Sequence, residues 1–310
     1  MPLTKGDLGN LGLAGVKAAF YDALDNVPVQ EGIFAADWRD VATLVPSTLD
    51  TEKYGWLGQL PQMREFKDER KVKGIAESDY QLTNKLWEST IGVDRRAWDN
   101  DQSGTLRPRI MGLAAEYNRK IEEEVFTCLA KGNATTSYGA CYDGLAFFTA
   151  STHVLGANTI DNLDTDALAY DKLQGVIAKM AVYKGDADSY LGVKPSHLIT
   201  NPKMMWTARE LLMVRESTTA AGWTLQGALK LLVSPYLTLD NTTNTSCWIV
   251  ADLSRSIKPI IVQQKGNVEF DFLGRGSDTA FMTDQYRIGI RAEFVVGYGP
   301  PWLAHYNVVA

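Results

Sequence analysis

Cysteine is scarce. Cys128, Cys141 and Cys247 are the only three, and no two sit at CxxC spacing. That excludes a zinc ribbon and a dithiol redox motif, and an odd, scattered set points to a reducing compartment. Histidine is as rare: none of His153, His197 and His305 has another histidine or a cysteine at metal-ligand spacing. No run approaches the ~20 apolar residues of a membrane span. Residues 1–15 lack the basic-then-apolar order of a secretory signal, so the sequons at Asn133, Asn241 and Asn244 read as chance matches. Charge of one sign is missing too. Lys+Arg total 31 and Asp+Glu 37, a net charge of −6, which leaves neither a basic nucleic-acid footprint nor an acidic tail. Internal repeats and low-complexity tracts are absent.

What is present is material for a folded chain. With 45% hydrophobic and 22% charged residues, 310 residues can bury a sizeable core without disulfides or metals. At ~150 residues per domain the length suggests about two domains or one elaborate one.

Leu13, Val16, Phe20 and Leu24 step by three or four and predict a short helix over 12–25. Residues 26–48 carry Pro28, Pro46, Phe34 and Trp38 and read as an arm lying on something else. Next comes YGWLGQLPQMREF, then KDERKVKG, then SDYQLTNKLWESTIGV. Eight of the ten residues from 64 to 73 are charged, five positive and three negative. This predicts a long two-stranded hairpin over 54–98 with a charged tip. Extended residues 54–66 alone would span about 40 Å. A compact chain of this length has a radius of gyration of roughly 20 Å. Such a ribbon projects beyond its own body, is marginal alone in water, and needs a surface such as a neighbouring subunit.

Leu106, Ile110, Leu113, Tyr117, Ile121, Val125 and Leu129 predict one helix over 105–131, with Ser103 as N-cap, Pro108 in its first turns and Gly132 as its stop. At 1.5 Å per residue it is roughly 40 Å long. A second helix is expected over 166–184, capped by Asp164 or Thr165. SHLIT (196–200) reads as a buried strand, and Asn201-Pro202 opens another helix. From 229 onward the chain is strand-like: LKLLVSPYL, SCWIVADL, KPIIVQQ, VEFDF and RIGIRAEFVVGYG. Arm, hairpin, long helix, mixed middle and β-rich end make the class α+β, without a βαβ repeat.

Chemical motifs are weak. Asp99, Asp101, Ser103 and Gly104 spell the first half of a calcium loop, but Ile110 stands where the bidentate Glu belongs, so a polar turn and helix cap is the better reading. His153 follows Ser151 and Thr152, and a fold that brought Asp143 near would suggest a triad. No GxSxG elbow is present, so a polar loop histidine is expected. Gly9, Gly12 and Gly15 match no phosphate-binding spacing. Glu122, Glu123 and Glu124 fan around a helix rather than converge. No catalytic, cofactor-binding or metal residue is therefore assigned. Aromatics on a projecting ribbon mark interfaces instead. The expected assembly surface comprises Trp56, Arg64, Phe66, Arg70, Lys71, Trp87 and Trp98.

The stretches YGWLGQLPQMREF, SDYQLTNKLWESTIGVDRRAWDND, CYDGLAFFTASTH and SIKPIIVQQ…TDQYRIGIRAEFVVGYGPPWLAHY, in this order, resemble the Mu-like phage major head subunit family over about residues 12–307. The resemblance implies the tailed-phage major capsid protein fold, shared with encapsulins. It also implies an N-terminal arm at 1–50 and an extended loop at 51–98. A peripheral domain with a spine helix would take 99–132 and 266–310, and an axial domain 133–265. Pro300-Pro301 departs from what the family's last strand leads one to expect. Covalent joining of a loop lysine to a neighbour's asparagine, known in some members of the fold, is not expected, because Lys67, Lys71 and Lys73 have no identifiable partner.

The function so implied is a non-enzymatic shell protein without cofactor. It would assemble as hexamers and pentamers into an icosahedral head around double-stranded DNA. Its partners would be itself, a scaffold and protease, a portal, decoration proteins, and DNA enclosed without sequence-specific contact, with no membrane. The place would be the virion, assembled in the host bacterial cytoplasm. Two alternatives stand beside it: an encapsulin-like nanocompartment shell, and a soluble hydrolase using His153 with Asp143 and Ser151.

Overall fold

The computed structural model describes residues 13–25, 37–54, 80–99, 106–150, 153–185, 188–213, 227–238, 247–274 and 277–308. The helices are α1 (Leu13–Asp25), α2 (Trp38–Val41), α3 (Arg95–Asp99), α4 (Leu106–Ala130), α5 (Tyr170–Ala181), α6 (Met205–Met213) and α7 (Asp278–Thr283). The strands are β1 (Ala42–Ser47), β2 (Thr51–Lys53), β3 (Gln81–Thr83), β4 (Lys85–Asp94), β5 (His153–Leu155), β6 (Asn158–Ile160) and β7 (Leu163–Asp164). They continue with β8 (His197–Thr200), β9 (Lys230–Val233), β10 (Cys247–Ala251), β11 (Ile260–Leu273), β12 (Gln285–Tyr298) and β13 (Ala304–Val308).

Two sheets carry the fold. The first has the order β1-β11-β12-β4, with β1 parallel to β11 and the other pairs antiparallel. The long helix α4 packs on one face of it. Its buried stripe of Ile110, Leu113, Tyr117, Ile121, Val125 and Leu129 belongs to the same core as Ile260, Val262, Ile288, Phe294 and Tyr298 of the sheet. The three-and-four spacing in the sequence is this stripe, and Pro108 falls in the first turn, where a missing N–H costs nothing. Phe20 brings α1 onto this core, 5.0 Å from the Phe270 ring.

The second sheet runs β7-β13-β10-β8-β9 and is covered on both faces. Ile199, Ile249, Ala251 and Tyr306 face the main core, while Leu198, Trp248 and Val250 face α5 and α6. Double coverage explains why CWIVA is apolar without alternation and buried throughout.

The expected α5 cap is not found. The helix begins four residues beyond Asp166, from Ala169, with no side-chain cap. Asp164 sits in β7, where its carboxylate accepts from Lys179 Nζ at 3.2 Å. KPIIVQQ and VEFDF, read as separate strands, form one 14-residue strand with a register shift between Lys265 and Glu269. Gly266, at φ +67°, takes the backbone angle that the shift requires.

The predicted long hairpin is also corrected. Residues 55–79 of it lie outside the described residues; among those described, β2 pairs with β3 as a ribbon, Thr51 opposite Thr83. From Lys85 the chain leaves it and pairs along ten residues with β12, Lys85 opposite Phe294 and Asp94 opposite Gln285. The expected boundary at 265/266 falls inside β11, and β13 lies in the second sheet, not the first. Between β12 and β13 the Pro300-Pro301 pair opens a short 3-10 turn (Pro301–Leu303) that carries the chain from one sheet to the other. Proline suits this corner because neither residue has an N–H to leave unpaired.

Candidate functional site

The two ends of the 55–79 segment meet on the face of the first sheet opposite α4. Along β11 and β12 alternate residues point to opposite faces. Ile260, Val262, Val296 and Tyr298 face α4, while Ile261, Val295 and the buried Gln263 face the other way. Tyr54, the last described residue before the segment, and Leu82, just after it, form a small separate apolar cluster with Ile261 and Val295. Tyr54 N–H donates to the Tyr80 carbonyl at 2.8 Å. Its hydroxyl donates to Gln263 Oε1 at 2.7 Å, and Gln263 Nε2 donates to the Leu82 carbonyl at 3.3 Å. The Tyr298 N–H donates to the Tyr80 hydroxyl at 2.7 Å. Burial pushes both phenols well above their ordinary values, so they stay neutral hydrogen-bonding groups at any physiological pH. Lys265 adds ion pairs to Asp50 and, at 3.2 Å, to Glu293.

A groove of about 170 Å³ lies between α4 and β4, at the edge of the sheet. Trp87 forms one wall. Its ring stacks on Phe294 at 5.3 Å, its Nε1–H donates to the Phe294 carbonyl at 3.1 Å, and Lys120 Nζ sits 4.7 Å from the ring centroid. Tyr117 closes the floor edge-on to Phe294 at 6.2 Å. Glu88 and Glu116 also line the groove, and Lys120 pairs with Glu124 at 2.9 Å. Trp98 packs 5.3 Å from Phe272 and 5.8 Å from Tyr286. Both tryptophans thus spend one face on their own sheet and remain partly exposed on the other. Trp56, Arg64, Phe66, Arg70 and Lys71 lie outside the described residues, as do Lys67 and Lys73 at the expected tip and Ser103 with the calcium-like turn after Asp99.

His153 is not a polar loop residue. It starts β5 and is fully buried. The fold does bring Asp143 to it, Oδ2 lying 2.5 Å from Nδ1, but Nε2 faces the Phe147 carbonyl at 3.2 Å. Both ring nitrogens are therefore engaged inside the protein, and Ser151 lies outside the described residues. Burial would raise the Asp143 carboxyl, but the His153 hydrogen bond and charge hold it below the usual carboxylate range. His153 is buried and Asp143 partly so, and with Nε2 turned to a backbone carbonyl the imidazole holds no nitrogen open towards a nucleophile in this arrangement. His305 is equally enclosed, between Asp164 at 2.9 Å and the Tyr183 hydroxyl at 3.3 Å. Among the described residues no group of His, Cys, Asp and Glu is arranged to hold a metal ion.

Sequence reasoning missed Tyr54, Tyr80, Gln263 and Gly297. The only signal was the position of the two tyrosines at either end of an aromatic and charged stretch. Their shared partner strands lie over 170 residues away in sequence.

The family described as Mu-like prophage major head subunit gpT matches residues 13–164, 161–237 and 238–308. The Mu-like prophage FluMu major head subunit of Haemophilus influenzae is 26% identical over 300 residues, which are 96% of this chain and 72% of that protein. The procapsid of bacteriophage JBD30 contains a chain with a TM-score of 0.61 and 26% identity, covering 99% of this chain and 77% of its own. An encapsulin complex from Synechococcus elongatus has a TM-score of 0.52 at 10% identity, over 99% of this chain and 96% of its own. The fold is therefore that of tailed-phage capsid proteins, and encapsulins share it.

Proposed function

We infer that this chain, which belongs to the Mu-like prophage major head subunit gpT family and is a major capsid protein of a Mu-like phage, closes into an icosahedral shell through rings of five and six copies around double-stranded DNA. The observation that carries the shell mechanism is the loop base. A segment of the chain leaves and returns at one hydrogen-bonded point, Tyr54 with Tyr80, on the sheet face away from the spine helix α4. A surface that reaches one neighbour, repeated head to tail, closes rings when the rotation permits. Each contact can be modest because many act together in a closed particle. Trp56, Arg64, Phe66, Arg70 and Lys71 are the proposed donor side of that contact, and Trp87 and Trp98 lie on partly exposed surface of the same subunit.

The first sheet with α4 is the proposed peripheral unit, residues 51–98 the loop, whose returning strand β4 joins that sheet, and the second sheet with α5 and α6 the axial unit. The net charge of −6 suits a container wall, since bound phosphates would pin packaged DNA to it. The protein does no chemistry in this reading. Its partners are its own copies, with a scaffold and protease, a portal and decoration proteins. It assembles in the host cytoplasm and ends in the virion.

The test is a variant that combines Trp56→Ala with deletion of residues 64–73, purified and also co-produced with its genomic neighbours. Negative-stain microscopy and light scattering should find folded, soluble subunits and no closed shells. Normal shells from that variant would remove the loop from the mechanism.

A further inference from the structure

The loop base rests on a position where an added side chain would press on Leu82 and Tyr80. Gly297 of β12 lies beneath it, opposite Ile261 in the sheet register. A Cβ at Gly297 would meet Leu82 Cδ2 at 2.5 Å, Leu82 Cδ1 at 2.6 Å and the Tyr80 hydroxyl at 2.7 Å. Real Cβ contacts of this kind are not seen, so Leu82 and Tyr80 would have to move. The backbone of Gly297 itself is an ordinary extended strand, within the range any residue adopts. The missing side chain therefore serves the approach of β3, not the conformation of β12.

Three further features converge on the same spot. Tyr54 and Tyr80 are each fixed to the sheet by a hydrogen bond, one to the Gln263 side chain and one from the Tyr298 backbone. Leu82 is buried against Ile261 and Val295, apart from the main core. Gln263 is fully buried, and its amide bonds both sides of the base, Tyr54 through its oxygen and Leu82 through its nitrogen. A buried amide satisfied at both ends holds its partners to one geometry, because any shift leaves an unpaired polar group.

We propose that Gly297, Gln263, Tyr54 and Tyr80 form a seat that fixes the direction in which the chain leaves at Tyr54 and returns at Tyr80, and that these are positioning residues for shell closure. The proposal rests on the reading of residues 51–98 as the arm that reaches a neighbour. In a closed shell a small angular error at the base of an arm is multiplied along its length, so the seat sets the angle while the arm supplies the contact.

The experiment uses the full chain in three forms: Gly297→Ala, Tyr54→Phe and the deletion of 64–73. In Gly297→Ala, exchange of the Tyr54 and Asn84 amides should be roughly tenfold faster, with amides of Val262 and Val296 unchanged. The particle population should shift from closed shells to open sheets and spirals, with subunit yield unchanged. A merely structural role would lower subunit yield and leave the shape of the particles alone. Tyr54→Phe, which adds no bulk, should shift the population in the same direction. It decides the matter if Gly297→Ala loses protection throughout β12. Slow base exchange in Gly297→Ala, or closed shells of normal shape from a variant with a loosened base, would overturn the seat. Normal shells from the deletion would instead overturn the arm, leaving the two failures distinguishable.

Discussion

Trp87→Ala should destabilise the folded subunit by at least about 2–3 kcal/mol, the sum of its specific contacts before the loss of buried apolar area is added. The indole Nε1–H bond to the Phe294 carbonyl, at 3.1 Å, contributes about 1 kcal/mol. The stack on Phe294, with ring planes 19° apart, contributes about 0.5–1.5 kcal/mol beyond its area. Lys120 above the half-exposed ring adds about 0.5 kcal/mol. Trp87→Phe keeps much of the stack and loses the hydrogen bond, so it should cost about 1 kcal/mol. Urea unfolding of purified subunits, read as the shift in midpoint at unchanged slope, measures both. A loss below about 1 kcal/mol for the alanine variant would refute this account, as would equal losses for alanine and phenylalanine. The same pair separates packing from assembly. Trp87→Phe subunits that stay folded yet fail to close shells would show that the outer face of the indole meets a neighbour.

Three other outcomes are expected. Ile121, 1% exposed in α4, should cost about 2–5 kcal/mol on Ile121→Ala, measured by the same unfolding assay. Phe281→Ser, at an aromatic 88% exposed in α7, should change subunit stability by less than about 0.5 kcal/mol. Asp252 is buried, and its carboxylate accepts from Lys194 N–H at 2.9 Å, Ser254 N–H at 3.1 Å and Arg255 Nε at 3.1 Å. Burial would raise that carboxyl, but these hydrogen bonds hold it below its ordinary value. A depressed folded value means the unfolded chain binds the proton more readily. The stabilisation is therefore present above the unfolded value of about 3.9 and is lost as pH falls from there through the folded value. Melting temperature followed from pH 6 downward should drop below about pH 4, and Asp252→Asn should flatten that drop while lowering the plateau. An unchanged pH profile in the variant would exclude Asp252 as the group responsible.

Local pattern carried much of this architecture. The spacing of Ile110, Leu113, Tyr117, Ile121, Val125 and Leu129 specified a single long helix and the face it buries, because side chains three and four apart share one side of a helix. HLIT read as a buried strand and CWIVA as a strand; both run apolar because both faces of their sheet are covered, and a strand covered twice has no reason to alternate. The ordered motifs of the whole chain specified the family. What the pattern left undecided was partnership. Lys85–Asp94 alternates in the same way whether its neighbour is the other arm of a ribbon or the edge of a four-stranded sheet. Only the tertiary structure gave it β12. His153 carried no mark of burial, since a polar residue in a loop-rich stretch is buried only if the rest of the fold encloses it. Gly297 is one glycine among 26 until Leu82 and Tyr80 arrive above it from over 200 residues away in sequence. Periodicity is a property of neighbours along the chain and is legible in the sequence. Close approach between distant segments depends on where every other segment packs, and only the folded molecule decides it.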